Sequence, residues 1–424
     1  MTINRTRALF CDLLGLPRGK YVAPHLASAG KIGFARAAFA VSFDRDLLTV
    51  PGTGVFEGVP DMDLRLGEER RKGWQDGVEI ALGDIEVDGE AFALDARGQL
   101  RATVAAWQQQ HDLTPMVGIE LEAYVFEQGE DGAFRPYNTP GAFVYGTGPH
   151  NDPRGLMDAI WTRAEAAEIP IESMNGEYDN GQFELTLCFG DAIKACDDAF
   201  LLKTMAREVA AEKGLILTFL PKPIPERGGS GLHVNFSFTD KDGKNAVGPE
   251  GRLSKLAEGC VAGLMLHHEG LAGVLAGTVN SYDRLTPASM AGYWCNWADD
   301  HRMTTVRTTV ASPRSARLEH RMADGAANPY LATHAVLRAA MQGVEQGHRL
   351  PPAEDLDGIE NVRATRHVPS SLKKALDALD KDAALREALG PLLVDALVFL
   401  KRDEATRLEK ASVDEIRDFY LPFV

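Results

Sequence analysis

Apolar and polar positions along this chain change rhythm near residue 93. Before that point the apolar runs are short and broken by Gly and Pro. ALFCDLLGLPRGKYV predicts a strand, a turn at Gly15–Gly19 and a second strand. VPGTGVFEGVP, within residues 31–60, predicts loop-rich β structure. Residues 74–94 alternate as further short strands, with a turn at Asp88-Gly89. Asp95–Gln110 then carries apolar residues at helical spacing, and beyond it the elements lengthen. MVGIELEAYVFE, residues 116–127, is apolar up to Phe126 apart from Glu120 and Glu122, the pattern of a buried strand. Asp152–Glu168 and Asp191–Gly214 predict amphipathic helices, and Gln182–Leu187 and Leu215–Leu220 strands. A glycine loop, ERGGSG, runs into a strand, LHVNFSF, and Lys255–Ala276 predicts one apolar helix. Thr304–Thr309 and Ala316–Met322 predict strands, Asn328–Gln346 a helix opened by Asn-Pro, and the remainder is helical. Strands and helices without regular βαβ alternation predict an α+β fold, with a small domain at 1–93 and a larger one at 94–424.

Composition narrows the partners. A net charge of −16 argues against nucleic acid or an anionic membrane. The longest apolar runs fall short of the ~18 residues that span a bilayer. The N-terminal apolar patch is interrupted by Asp12 and lacks a signal-peptide layout. The five cysteines are scattered without CxxC, which favours reduced thiols and a cytoplasmic setting.

The chemistry sits on the strands. Glu120 and Glu122 are two apart, so both carboxylates point to one face. Paired like charges in a core need a cation, and oxygen ligands suit Mg2+ or Mn2+. A solvated, salt-bridged sheet face would carry the same pair. Glu177 and Glu184 flank DNGQ, a pattern also shared with charged hairpin tips. In GGSGLHVN, Gly228, Gly229 and Gly231 allow close approach of backbone to a ligand, and His233 and Asn235 share a face. In RLEHR, Arg317, Glu319 and Arg321 alternate on one face, as either a surface ladder or a ligand flanked by two anion-binding forks. Arg284, Arg302 and Arg307 add further cationic charge. Together these residues match what ATP-dependent activation of a carboxylate requires.

The motifs resemble the glutamine synthetase superfamily over nearly the whole chain. GIELEAYVF resembles its paired-glutamate strand, EYDNGQFE its E-x-G-P-G-Q-x-E, and GGSGLHVNFSF its N-G-S-G-M-H-x-H-x-S. NSYDRL resembles N-S-Y-K-R-L, and RLEHRMADGAANPYL the family's R-x-E-x-R-x-x-D-x-x-A-N-P-Y-L. The resemblance implies a small N-terminal β-grasp domain and a catalytic domain with a curved antiparallel sheet and flanking helices. It implies homo-oligomeric rings, hexamers or dodecamers, with sites between neighbouring subunits. It also implies ATP and Mg2+ (or Mn2+) as cofactors. Glu122, Glu177 and Glu184 would hold the metal near the acid, and Glu120, His233 and Glu319 the metal on the ATP phosphates. Arg284 and Arg321 would grip the acid with Gly229 beside them, and Arg307 the transferring phosphoryl group. Glu172, Asn235, Ser237 and Arg317 would lie on the nucleotide side. The chemistry implied is phosphorylation of the glutamate γ-carboxylate, followed by displacement of phosphate by a nitrogen nucleophile.

Departures from the family pattern bear on the substrate. The flap glutamate over the ammonium site is replaced by Met290, with Tyr293, Trp294 and Trp297 close behind. TVPGTGVFEG lacks the aspartate of the ammonium-binding Asp-Gly-Ser-Ser. The leading asparagine of the glycine loop is Gly228, and the second histidine is Asn235. DLLGLPRGKYV and the EHR motif resemble the γ-glutamylamine synthetase branch. The expected function is therefore a ligase forming a γ-glutamyl amide from glutamate and an organic amine. The same chemistry on another acid, ordinary glutamine synthesis and a non-catalytic ring-forming homologue remain as alternatives.

Overall fold

The computed structural model describes residues 3–130, 133–137, 141–355 and 362–424. Two sheets organise it. The first contains β1 (Arg5–Cys11), β2 (Pro17–Val22), β3 (Lys31–Ala35), β4 (Asp61–Leu66), β5 (Arg71–Lys72), β6 (Val78–Val87) and β7 (Glu90–Ala91). Its main order is β2-β1-β6-β4-β3. β1 and β6 are parallel at the centre and the remaining pairings are antiparallel, the mixed sheet expected of a β-grasp. Asp88 and Gly89 both have positive φ (54° and 85°), so the predicted turn joins β6 to β7 as a tight hairpin.

The second sheet is built on β8 (Leu113–Gln128), longer at each end than the apolar run that predicts it. It also contains β9 (Phe134–Pro136), β10 (Ile171–Gly176), β11 (Gln182–Leu187), β12 (Gly190–Asp191), β13 (Leu215–Thr218) and β14 (Leu232–Asp240). β15 (Trp297–Asp299), β16 (Val306–Thr309) and β17 (Arg317–His320) complete it. The main order is β10-β11-β8-β14-β17-β16-β15, antiparallel except for β15 with β16. Ile119, Leu121, Ala123 and Val125 of β8 are fully buried on the helix-covered face, while the glutamates alternate onto the other.

Helices cover that buried face. Ala192–Glu212 is capped by Asp191, whose carboxylate accepts from Ile193 N at 3.0 Å. Pro329–Glu345 is capped by Asn328, whose Nδ2 also donates 2.8 Å to the Asp12 carbonyl and so ties the helix to the first sheet. Arg7 of β1 with Glu208 and Arg71 of β5 with Asp198 fasten the first sheet to the helix Ala192–Glu212. A Cβ on Gly263 would lie 2.1 Å from Ala339 O, so only glycine permits that helix crossing.

Two helix boundaries differ from expectation. The predicted helix Lys255–Ala276 is two helices, Lys255–Leu266 and His268–Leu275, broken at His267. The His267 ring is drawn 2.7 Å to Asp382 of the C-terminal region, a tertiary contact that apolar periodicity does not report. The helix predicted from Asp152 begins at Leu156, because Pro153 and Gly155 (φ 59°) form a turn. Asp152 accepts from Leu156 N and Met157 N across it. Among the described residues no helix is long and apolar enough to cross a membrane.

Candidate active site

Strand register gathers the predicted acids. On β8, Glu122 lies opposite Glu184 of β11, and Glu120 opposite His233 of β14. Asn235 lies opposite Glu319 of β17, which lies opposite Arg307 of β16. Directly opposed residues share a sheet face, so the solvent-side face of five strands carries this one set. Glu177 joins it from the β10–β11 turn, where its N–H donates 2.9 Å to Gln182 O. The result is two clusters, Glu120/His233/Glu319 and Glu122/Glu177/Glu184. In each, the three ligand atoms lie within 4.8 Å of one another.

The two clusters differ in how their charge is met. Burial would raise the Glu120 carboxyl, but the His233 imidazole at 3.1 Å and the Asn235 amide at 3.0 Å hold it down at about 2. Glu319 is 1% exposed. It too is lowered against burial, chiefly by Arg321 and His233, and it accepts from Arg307 at 3.0 Å and from Arg321. Among the described residues the second cluster has no arginine ion pair, and His233 Nε2 comes no closer than 3.8 Å to Glu122. Burial, and then the charges of Glu120, Glu177 and Glu122, push Glu184 up to about 7. Burial and Glu122 raise Glu177 as well. Three mutually repelling carboxylates around one point fit a divalent cation held by oxygen ligands, and the first cluster fits a mixed oxygen–imidazole ligand set.

Glycines bring backbone and cations to the clusters. Gly231 N donates 2.7 Å to Glu122. A Cβ on Gly229 would meet the Arg284 side chain at 2.6 Å, and one on Gly231 would meet Arg284 Nη2 at 2.7 Å. Arg284 is therefore seated in the glycine loop, with its guanidinium on the Met322 carbonyl (2.9 Å) and the Arg321 carbonyl (3.3 Å). On the other side of Glu120 a cleft of about 290 Å³ opens, lined by Glu172, Asn235, Ser237 and Arg317. These four are the residues expected on the nucleotide side. Arg317 is oriented by a 3.0 Å bond to Asn235 Oδ1. Gly118 forms part of the lining, two residues before Glu120 on the same face. The sequence reading passes over it, although a glycine in an otherwise bulky strand is a signal of close approach.

The flap is arranged differently from expectation. Met290 is half exposed, and its carbonyl accepts from Arg321 at 3.2 Å, so its backbone lies within reach of the site. The aromatic residues after it do not close around it. Tyr293 stacks on His367 at 5.0 Å, Trp294 meets both rings edge-on, and Trp297 donates 2.8 Å to the Pro351 carbonyl. They pin the flap to Pro351 and His367. Asp300 is spent on an exposed ion pair with Arg307.

Two adjacent clusters able to hold cations, a cleft beside them and buried arginines on an α+β sheet fit the class of carboxylate ligases that use a nucleotide and metal. The glutamine synthetase catalytic domain matches residues 93–420. The chain belongs to the glutamine synthetase family of ATP-dependent carboxylate–amine ligases. It is 31% identical to the glutamate–methylamine ligase of Methyloversatilis universalis, over 98% of this chain and 96% of the relative. It is 30% identical to the glutamine synthetase of Pyrococcus abyssi, over 95% and 90% respectively. A solved structure described as apo GmaS without ligand superposes with a TM-score of 0.84 at 27% identity, covering 98% of this chain and 96% of the other.

Proposed function

We propose that the protein joins the γ-carboxyl group of glutamate to a primary amine bearing a carbon skeleton, at the expense of ATP. The observation that carries this reading is the flap. It supplies Met290, and no carboxylate, within reach of Arg321. Ammonium needs anionic partners to bind and to lose a proton, whereas an alkyl amine gains roughly 0.8 kcal/mol per buried CH2. The similarity to a glutamate–methylamine ligase supports the same choice.

In this reading Glu120, His233 and Glu319 hold one cation and Glu122, Glu177 and Glu184 another. Bound Mg2+ or Mn2+ would neutralise phosphate charge and polarise the transferring group. Glu172, Asn235, Ser237 and Arg317 seat the nucleotide in the cleft, and Arg284 and Arg321 hold the acid against the glycine loop at Gly229. A γ-carboxylate oxygen attacks the terminal phosphorus of ATP and ADP departs. Arg307 and Arg321 offset the charge of the phosphoryl group in flight. The amine nitrogen then attacks the acyl carbon, phosphate leaves, and the nitrogen gives up a proton. The N-terminal sheet is read as a cover over a neighbouring subunit's site in a ring. The test is product identity. Incubation with ATP, Mg2+, glutamate and methylamine or ethanolamine should yield the γ-glutamyl amide, ADP and phosphate in equal amounts by mass spectrometry. ATP hydrolysis without amide would refute the reading.

A further inference from the structure

Beyond Glu122 the same sheet face continues to Tyr124, opposite Gln182. There the β10–β11 turn and the glycine loop meet. Gly228 N donates 2.5 Å to Asp179 Oδ2. The Tyr124 hydroxyl lies 3.3 Å from the same oxygen and 2.9 Å from the Gly228 carbonyl. Both contacts fall on Oδ2, and among the described residues no hydrogen bond ends on Oδ1. The neighbouring cation Lys222 is bonded to the Arg227 carbonyl and reaches Asp179 through charge without a hydrogen bond, and Arg227 is bonded to the Asn180 carbonyl at 2.9 Å.

We propose that Asp179 binds the α-ammonium group of the acid substrate and so sets its preference for an amino acid. The proposal rests on the ligase reading above. If the reacting carboxylate lies at the Glu122/Glu177/Glu184 cluster, the other end of the acid must lie further along β8 or back toward the nucleotide. The nucleotide cleft occupies the Gly118–Glu120 side. A strand advances roughly 6–7 Å per two residues, so Tyr124, whose hydroxyl meets Asp179, follows Glu122 along the face by about the length of a short diacid. A cationic group arriving there meets a positioned carboxylate. Two departures from the family pattern coincide at this point. Asp179 stands where E-x-G-P-G-Q has glycine, and Gly228 stands where the loop has asparagine. They are in contact: a Cβ at 228 would lie 3.1 Å from Asp179 Oδ2 and 3.4 Å from Gln182 Oε1. The carboxylate occupies the space that the missing side chain would need, and it brings a negative charge there.

The experiment is calorimetric binding of glutamate and of glutarate, which lacks the amino group, to the full-length protein with saturating Mg2+. Wild-type protein should bind glutamate at least about tenfold tighter than glutarate. Asp179→Asn should weaken glutamate alone and bring the two acids to about equal affinity, and Asp179→Ser provides a second variant should the first fold poorly. A preference that survives in the variants, equal weakening of both acids, or no preference in wild type would each overturn the proposal. Failure of the ligase reading is seen separately, as absence of amide product, and leaves this binding comparison standing.

Discussion

Glu184→Gln should stabilise the metal-free protein while abolishing turnover. The Glu184 carboxyl is pushed from an ordinary 4.5 to about 7, by burial first and then by Glu120, Glu177 and Glu122. A carboxyl whose folded-state value is raised binds its proton more tightly in the folded state. Folding stability therefore falls as pH rises from 4.5 through about 7. The shift corresponds to about 3 kcal/mol lost above neutrality. For 424 residues the unfolding entropy is roughly 0.9 kcal/mol/K, so this is about 3–4 °C in Tm. The neutral glutamine removes the repulsion. In EDTA, scanning calorimetry should show wild-type Tm lower at about pH 8 than at about pH 5.5 by about 2 °C, since roughly 2 kcal/mol of the loss falls between those values, and the variant with little such drop. Added Mn2+ or Mg2+ should raise the wild type at the higher pH by more than the variant, which keeps only the Glu120/His233/Glu319 cluster intact. Equal pH slopes for both proteins, or equal metal responses, would refute the account of this cluster.

Glu319→Gln should behave oppositely. It also abolishes ATP-dependent turnover, but Arg307 and the buried Arg321 lose their common counter-ion, so metal-free Tm should fall, with a cost of about 3–5 kcal/mol; a Tm at or above wild type would be the contrary result. In assembly, sedimentation should give a particle several times the 46.1 kDa chain, and full activity in a monomer would contradict the covering role assigned to the N-terminal sheet. Met290→Glu should shift the nucleophile preference toward ammonium, because an unpaired charge beside the flap penalises an apolar amine; an unchanged preference would remove Met290 from the site.

Local rules carried much of the site. The spacing of two between Glu120 and Glu122, between His233 and Asn235, and through Arg317, Glu319 and Arg321 already placed each set on one face. The structure adds the registers that bring those faces together. Those registers pair β8 with β14 and β14 with β17, segments far apart in the chain, and no local pattern encodes them. Asp95 was legible as a helix start and proves to be the cap of Ala96–His111. The break at His267 was not, since it depends on Asp382. Likewise the engagement of Tyr293, Trp294 and Trp297 depends on Pro351 and His367, which lie far along the chain. Asp179 was visible only as a letter in DNGQ. Its meaning requires knowing that it reaches Gly228.

The central claim is the choice of nucleophile, and steady-state phosphate release tests it most directly. With ATP, Mg2+ and saturating glutamate, kcat/KM should be measured for ammonium, methylamine, ethanolamine, putrescine and an aromatic amine. The account predicts that the best carbon-bearing amine exceeds ammonium by more than about tenfold, equivalent to about 1.4 kcal/mol of differential transition-state binding. Equal or better use of ammonium would contradict it.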